Sequence, residues 1–352
     1  MIGRRLKVAR AAAGLSLREL SARMDGVVTA QAIGKYERDE DMPGSRALMG
    51  LARALDVSED YLLSDEELVL EGVDFRKKAS SREEATIEAK SVQLLERYLA
   101  VEDLLGLRSV DWERPRSAPF PVADLRDAED AARSVRDEWG LGYDPIPKLA
   151  ELLEERGVKV LSIDLDDIDG LAAKVNRRGR EAARVIVVRK NIWAERKRFT
   201  LAHELGHMVM APAAGVDEEK AAHRFAGAFL MPADVLRTEV GAHRSMIGLA
   251  ELVALKLRFG VSIQAIAFRC KDLGIIGSKP FSDLFRVFTR NGWRHHPFAE
   301  PGCIDGAEEE PKRFERLCYR ALSEGFIGDS RAAELLGISV RELDRRLELQ
   351  VA

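Results

Sequence analysis

RFTLAHELGHMVM, residues 198–210, is the stretch whose reading decides the fold of the larger part of this chain. It sets His203 and His207 four positions apart, with Glu204 directly after the first. In an α-helix, positions i and i+4 share a face one turn apart, so both imidazoles can point at a single ion. The glutamate stands beside them, where it can hold a metal-polarised water. This HExxH arrangement pairs two zinc ligands with a general base. The flanking residues Phe199, Leu201, Ala202, Leu205, Met208 and Val209 predict a helix that is mostly buried. Two histidines and a glutamate inside such a helix are costly without a partner, and a metal ion supplies one. Gly206 leaves room for close approach of another backbone.

A catalytic zinc takes three protein ligands, so the motif is incomplete by itself. The remaining histidines are His223, His243, His295 and His296. The segment DEEKAAHRFAGAFLMP, residues 217–232, adds Glu219, with His223 one turn later. Its apolar positions Ala222, Phe225, Ala226 and Phe229 are expected to face a core. Cys270, Cys303 and Cys318 are scattered and form no CxxC pair, which argues against a disulfide framework and against a cysteine zinc site.

The bulk of the chain is consistent with a folded globular protein. It has 352 residues, 46% hydrophobic and 32% charged, a length that predicts about two to three domains. No apolar run approaches the ~20 residues of a membrane helix, so no membrane partner is expected. MIGRRLKVARAAAGLS lacks the hydrophobicity of a signal peptide, and a cytoplasmic location is expected. The net charge is −4, but residues 1–38 carry eight Lys/Arg against three acids. Such an asymmetry marks either a polyanion-binding surface or a solvated helical one.

That basic segment reads as five short helices within residues 1–63. Leu6 and Ala9 set a stripe ending at Gly14. Ser16 caps a second helix in a capping box with Glu19, and this helix buries Leu17, Leu20 and Met24. Asp25-Gly26 forms a turn, and Thr29 caps AQAIGKYE, with Ile33 pointing inward. Leu48, Leu51 and Leu55 share one face of a fourth helix, and Val57-Ser58 start a last turn. Two short helices about a tight turn are helix-turn-helix geometry. GLSLRELSARM, TAQAIGKYERDEDMP and LMGLARALDVSEDYLL, taken in order, resemble the Xre/Cro/CI repressor family over about sixty residues. The resemblance implies that Thr29, Ala30, Gln31 and Lys35 meet DNA. Gln31 would pair with an adenine edge and Lys35 with guanine or a phosphate. Leu17 departs from the glutamine common in the family, and Gly34 sits unusually inside the recognition helix.

Beyond it, residues 81–105 read as one long amphipathic helix capped by Ser81, with Ile87, Val92, Leu95, Leu99 and Leu104 on its stripe. It would pack on the rest of the chain or pair with a second copy in a homodimer. DWERPRSAPFPVADL ends that helix in an ordered crossing. Helices over 124–139 and through IPKLAELLEERG are followed by strands VKVLSIDL, GLAAKVN and ARVIVV, and then by the HELGH helix. The order describes a small α+β domain.

RFTLAHELGHMVM, EKAAHRFAGAFLMP and LKLRFGVSIQAIAFRCKDLGII, in that order, resemble the ImmA/IrrE family of metallopeptidases across about residues 120–280. The resemblance implies a gluzincin-like zinc metallo-endopeptidase with Glu204 as catalytic base and His203, His207 and Glu219 as metal ligands. The metal would be Zn2+, with Mn2+ as an alternative. His223 stands where the family usually has asparagine, and it would orient a ligand or compete as one.

The C-terminal RNGWRHHPFAEPG reads as a loop, since adjacent histidines point apart. DSRAAELLGISVRELDRRL, with Gly337-Ile338-Ser339 as its turn, reads as a small helical unit packed on the preceding domain. The expected fold is therefore mainly α, with an α+β zincin-like domain (a small mixed sheet plus helices) after an all-α helix-turn-helix domain. The expected division is 1–65 helix-turn-helix, 66–118 linking region, 119–280 metallopeptidase-like domain and 281–352 C-terminal segment. Together the resemblances imply a DNA-associated regulatory peptidase that cleaves a specific protein, a helix-turn-helix repressor, in stress response or mobile-element control. The alternatives are a transcription factor whose peptidase-like domain senses a ligand, and an antitoxin.

Overall fold

A computed structural model describes residues 2–64, 68–72, 80–107, 112–164, 168–177, 179–295 and 299–349. The five expected N-terminal helices are present as α1 (Ile2–Ala12), α2 (Leu17–Arg23), α3 (Ala30–Glu37), α4 (Ser45–Leu55) and α5 (Glu59–Leu63). Ser16 and Glu19 form the capping box of α2, and the Thr29 and Ser58 hydroxyls cap α3 and α5. Asp25 and Gly26 both take positive φ in the turn between α2 and α3. Leu6, Leu20, Ile33, Leu51 and Leu62 are fully buried in a core of their own.

The two departures from the repressor pattern lie side by side. A Cβ built on Gly34 would lie 3.5 Å from Leu17 Cδ1 and 3.3 Å from an Arg38 guanidinium nitrogen. Leu17 of α2 and Gly34 of α3 are thus neighbours across the contact of the two helices.

The linking region is more structured than the sequence pattern shows. A short strand, β1 (Leu68–Glu71), precedes the long helix α6 (Ser81–Leu104). Ser80 caps α6, not Ser81, because the box partner three residues on is Glu83. Ile87, Val92, Leu95 and Leu99 are buried as expected, but Leu104 is 40% exposed, and Tyr98 and Val101 fill the core instead. The apolar stripe is thus covered within the chain. The opposite flank of α6 lies along α1. There the Arg5 guanidinium is buried against the Glu96 carboxylate, and Arg82 donates to the Gly14 carbonyl at 2.7 Å.

The rest of the chain is built on a mixed sheet. Strand β2 (Phe120–Val122), helices α7 (Leu125–Glu138) and α8 (Leu149–Glu155), and strands β3 (Val158–Ile163), β4 (Gly170–Arg177) and β5 (Arg180–Arg189) lead into α9 (Ala194–Val209). The sheet order is β1-β4-β5-β3, with β3 parallel to β5 and the other pairs antiparallel. Strand β6 (Met210–Pro212) follows α9 and pairs in parallel with β2. Helices α10 (Glu218–Leu230), α11 (Ala233–Val240), α12 (Leu249–Phe259), α13 (Ile263–Asp272) and α14 (Ser278–Arg290) complete one side. A 3-10 turn (Gly306–Glu309) leads to α15 (Arg313–Ser323), α16 (Asp329–Leu336) and α17 (Val340–Leu349).

Alternation along the strands serves both faces. Val158, Val160, Ile186 and Val188 enter the core shared with α7–α10 and α12–α14. Leu161, Ile163, Val185 and Val187 enter a second core with β1, α6 and α15–α17. The C-terminal helices therefore pack against α6 and the sheet. The turn before α14's successor segment includes His295; His296 lies outside the described residues.

Helix α9 is held from behind by buried charges. Arg198, 4% exposed, donates to Glu309 at 2.8 Å and to the Pro147 carbonyl at 3.0 Å. Lys197 pairs with Glu310. Glu195 accepts from Lys256 at 2.6 Å, and Lys256 also donates to Glu300 at 3.2 Å. Removing one partner of such a pair leaves an uncompensated buried ion. Glu309→Ala is expected to lower unfolding stability by about 3–5 kcal/mol, read as a fall in denaturant midpoint. A loss below about 1 kcal/mol would show that Arg198 does not depend on it.

Candidate metal centre

Helix α9 packs against β4 and β5, and α10 lies alongside it. Their contact is close because Gly206 has no side chain. A Cβ there would sit 3.0 Å from the Phe225 ring, so the neighbour it admits is a side chain of α10 and not another backbone. Ala222, Phe225, Ala226 and Phe229 are all fully buried, which fixes the rotation of α10 and turns Glu219 toward α9. Asp217 caps α10, accepting from the Lys220 amide at 3.1 Å. On the other side, the first residue of β4 crosses α9. A Cβ on Gly170 would fall 2.5 Å from Thr200 Cγ2 and 2.9 Å from the Val187 carbonyl. Only glycine lets the strand pass this close to the helix turn that carries Glu204.

These contacts bring three donors together. His203 Nε2 and His207 Nε2 are 3.1 Å apart. Glu219 Oε2 lies 3.5 Å from His203 Nε2, and Glu219 Oε1 lies 3.5 Å from His207 Nε2. Among the described residues, this trio forms a cluster of metal-ligating type. Ligands about 2.0–2.1 Å from a tetrahedral zinc are separated by roughly 3.3 Å. The three separations match that spacing, so the residues fit the ion. His203 is 6% exposed and Glu204 2%, whereas Glu219 is open to solvent. The donor face is therefore walled on the α9 side and reachable from the α10 side.

The surrounding polar groups sort the remaining candidates. His207 Nδ1 lies 3.3 Å from Glu218 Oε1. A carboxylate on the outer ring nitrogen holds a ligating imidazole in the tautomer that turns its other nitrogen to the metal. Glu218 was not singled out by motif reading, although its place beside Glu219 at the start of α10 was visible. His223 Nδ1 donates to the Glu219 backbone carbonyl at 2.7 Å, a contact within its own helix. Its ring meets His203 edge-on with centroids 4.5 Å apart, and it lies outside the donor trio. His243 and His295 are exposed and likewise outside it. Burial pushes the Cys270 and Cys318 thiols up to about 12, far from the thiolate form that ligates metals.

In the first domain, Gln31 and Lys35 are exposed one turn apart on α3. Thr29 spends its hydroxyl on the Ala32 amide at 3.2 Å, and Ala30 is half-buried. The structure thus presents two of the four expected contact residues as free-standing side chains on the outer face of α3.

Comparison with known families agrees with this organisation. Residues 153–271 match the M78 peptidase family described as the IrrE N-terminal-like domain. Residues 6–62 match the helix-turn-helix family. The chain therefore joins an Xre-type helix-turn-helix domain to an ImmA/IrrE-type metallopeptidase domain. A search of curated proteins finds no match to it.

The donor geometry makes a distinct forecast for each acidic or imidazole neighbour. Protein dialysed against zinc and assayed by atomic absorption should retain one ion per chain. Glu219→Ala should abolish retention, while Glu218→Ala should weaken affinity about tenfold through the lost tutoring of His207. His223→Ala should keep its zinc. Loss of metal in His223→Ala with retention in Glu219→Ala would reverse the ligand assignment.

Proposed function

We propose that this protein is a DNA-associated metallo-endopeptidase that cleaves a specific protein, a helix-turn-helix repressor, and so changes transcription under stress or in mobile-element control. The observation that carries the reading is the convergence of His203, His207 and Glu219 beside a buried Glu204. Zinc is the first choice of ion and manganese the second, since a His/His/Glu set accepts several divalent metals. When bound, the ion polarises a carbonyl and lowers the pKa of its water toward ~7. Glu204 then takes a proton from the attacking water and delivers it to the departing amine, which completes peptide-bond hydrolysis. Gly170 lies over the Glu204 side chain, where a Cβ would fall 3.6 Å from Glu204 Cγ.

The N-terminal domain brings this activity to DNA. Gln31 offers a bidentate amide for an adenine edge, and Lys35 a cation for guanine or phosphate. Attachment of α6 to both α1 and the sheet side couples the two parts of the chain. No described helix is long and apolar enough to cross a membrane, and we place the protein in the cytoplasm, with its DNA and its substrate.

Full-length protein loaded with zinc or manganese should cleave the repressor encoded beside its own gene. Glu204→Gln should lower the rate by about 10²–10⁴-fold, the range that general acid–base catalysis supplies, while still holding metal. Intact repressor after incubation with metal-loaded wild type would sink the peptidase reading. Separately, a gel-shift titration with DNA upstream of the gene should show binding about tenfold weaker for Gln31→Ala or Lys35→Ala. Unchanged retention in both variants would remove α3 as the DNA-reading element.

A further inference from the structure

A cleft of about 930 Å³ opens from the metal-donor face and runs along the N-terminal half of α9. His203, Glu204 and Glu219 lie at one end. From there its lining passes Phe199, one turn before His203, toward Trp193 at the helix start, with Phe268 of α13 and Phe285 of α14 on the facing wall. Gly227 and Ala265 also line it, and between large rings these small residues leave depth where a side chain can enter. Phe268 is 49% exposed although it belongs to a ring ladder, with centroids 5.0 Å from both Phe281 and Phe285. An aromatic surface of this size left half-bare inside a concave site is a binding surface of the usual ligand-pocket kind.

Most of the charged groups along the cleft are held in ion pairs. Arg196 pairs with Asp169 at 2.6 Å, and Arg224 with Glu129 and Asp272, each at 3.1 Å. Arg269 is held by Glu129. The carboxylates Glu195 and Glu300 share Lys256. Arg294, stacked over Phe285 at 5.4 Å, has no carboxylate within ion-pair distance among the described residues. A cationic side chain entering here meets an unneutralised guanidinium and aromatic walls, whereas an apolar one meets only the walls.

We propose that this cleft is the specificity subsite of the peptidase, and that it takes a large apolar or aromatic side chain of the substrate flanking the cleaved bond, on the side lying over the N-terminal half of α9. The inference rests on the metal centre proposed above. Phe199, Phe268 and Phe285 supply the contact surface, and Ala265 and Gly227 set its depth. A methyl-sized side chain leaves these rings uncovered, and a basic one is disfavoured by Arg294.

Hydroxamates test the subsite without the natural substrate, because they chelate the ion while carrying one variable side chain. Zinc-loaded full-length protein is titrated calorimetrically with acetohydroxamic, hydrocinnamohydroxamic and aminocaproic hydroxamic acids. The phenyl-bearing probe should bind at least about tenfold more tightly than acetohydroxamic acid, the factor expected from burying most of an aromatic ring, and the amino-bearing probe should show no such gain. Phe268→Ala removes a wall whose loss a half-exposed residue tolerates, and Ala265→Leu fills the depth instead. Both should erase most of the phenyl advantage and leave acetohydroxamic acid binding unchanged. Equal affinity for the phenyl and methyl probes, or a uniform loss for all probes in both variants, overturns the subsite. A zinc-loaded chain that binds no hydroxamate, or a chain that holds no zinc, overturns the metal centre and the subsite with it.

Discussion

The close contact of α9 and α10 is the constraint on which the larger part of the molecule depends. Three donor atoms from two helices must meet within about one ligand-to-ligand spacing of a small ion. Side chains of ordinary size between the helices would hold them too far apart. Gly206 beneath Phe225 removes that obstacle, and on another side of α9 Gly170 lets strand β4 pass close to Thr200. Leu201, Ala202 and Leu205 of α9 and Ala222, Phe225, Ala226 and Phe229 of α10 are fully buried, so that neither helix can rotate without exposing its core face. The imidazoles are aimed by packing. Glu218 adds the polar part of that aim by holding the outer nitrogen of His207.

The second feature is the set of buried ions behind the site. Glu195, Lys197 and Arg198 occupy the first turns of the same helix that carries the histidines, and all are at most 4% exposed. Their partners come from α12 and from the segment between α14 and α15, through Lys256, Glu309 and Glu310. That segment lies past residue 271, the end of the span matching the peptidase family. Ionic pairs of this kind contribute little net stability over an apolar replacement, but each fixes geometry because neither partner can be left alone. They register α9 along its axis, a direction that greasy packing resists poorly. A similar arrangement on the opposite face of the sheet joins Lys159 of β3 to Glu102 of α6 at 2.6 Å, with Arg313 of α15 on the same carboxylate at 3.1 Å.

Much of this architecture was legible in the residue order. Ser16 with Glu19, and Thr29 and Ser58, announce their helices because a cap needs partners only two or three residues away. The HELGH helix and the apolar face of α10 follow from a period of 3.6 residues. The alternating strands β3 to β5 follow from a period of 2. The errors also have local causes. Ser80 and Ser81 are adjacent, and only the Glu83 carboxylate decides between them. Leu104 continues the stripe of α6 in spacing but lies at the helix end, beyond the elements that cover the rest. Strand β1 was illegible because four residues of LVLE carry too little pattern; it is a strand because β4 offers it an edge.

The sequence by itself determined which residues form the helices, which faces of them are apolar, and that His203, Glu204 and His207 share one face, since all of these depend on neighbours within about a turn. The tertiary structure decided which side chain lies with the two imidazoles. Glu219 and His223 sit one turn apart on α10, and spacing alone does not choose between them, although the family resemblance implies Glu219. The burial of Ala222, Phe225 and Phe229 rotates the helix so that the Glu219 side chain joins the two imidazoles, while His223 donates to the backbone of its own helix. The pairing of Arg198 with Glu309 and of Arg5 with Glu96 was decided in the same way. Partners about a hundred residues apart are chosen by how cores pack against one another, and no local pattern encodes that choice.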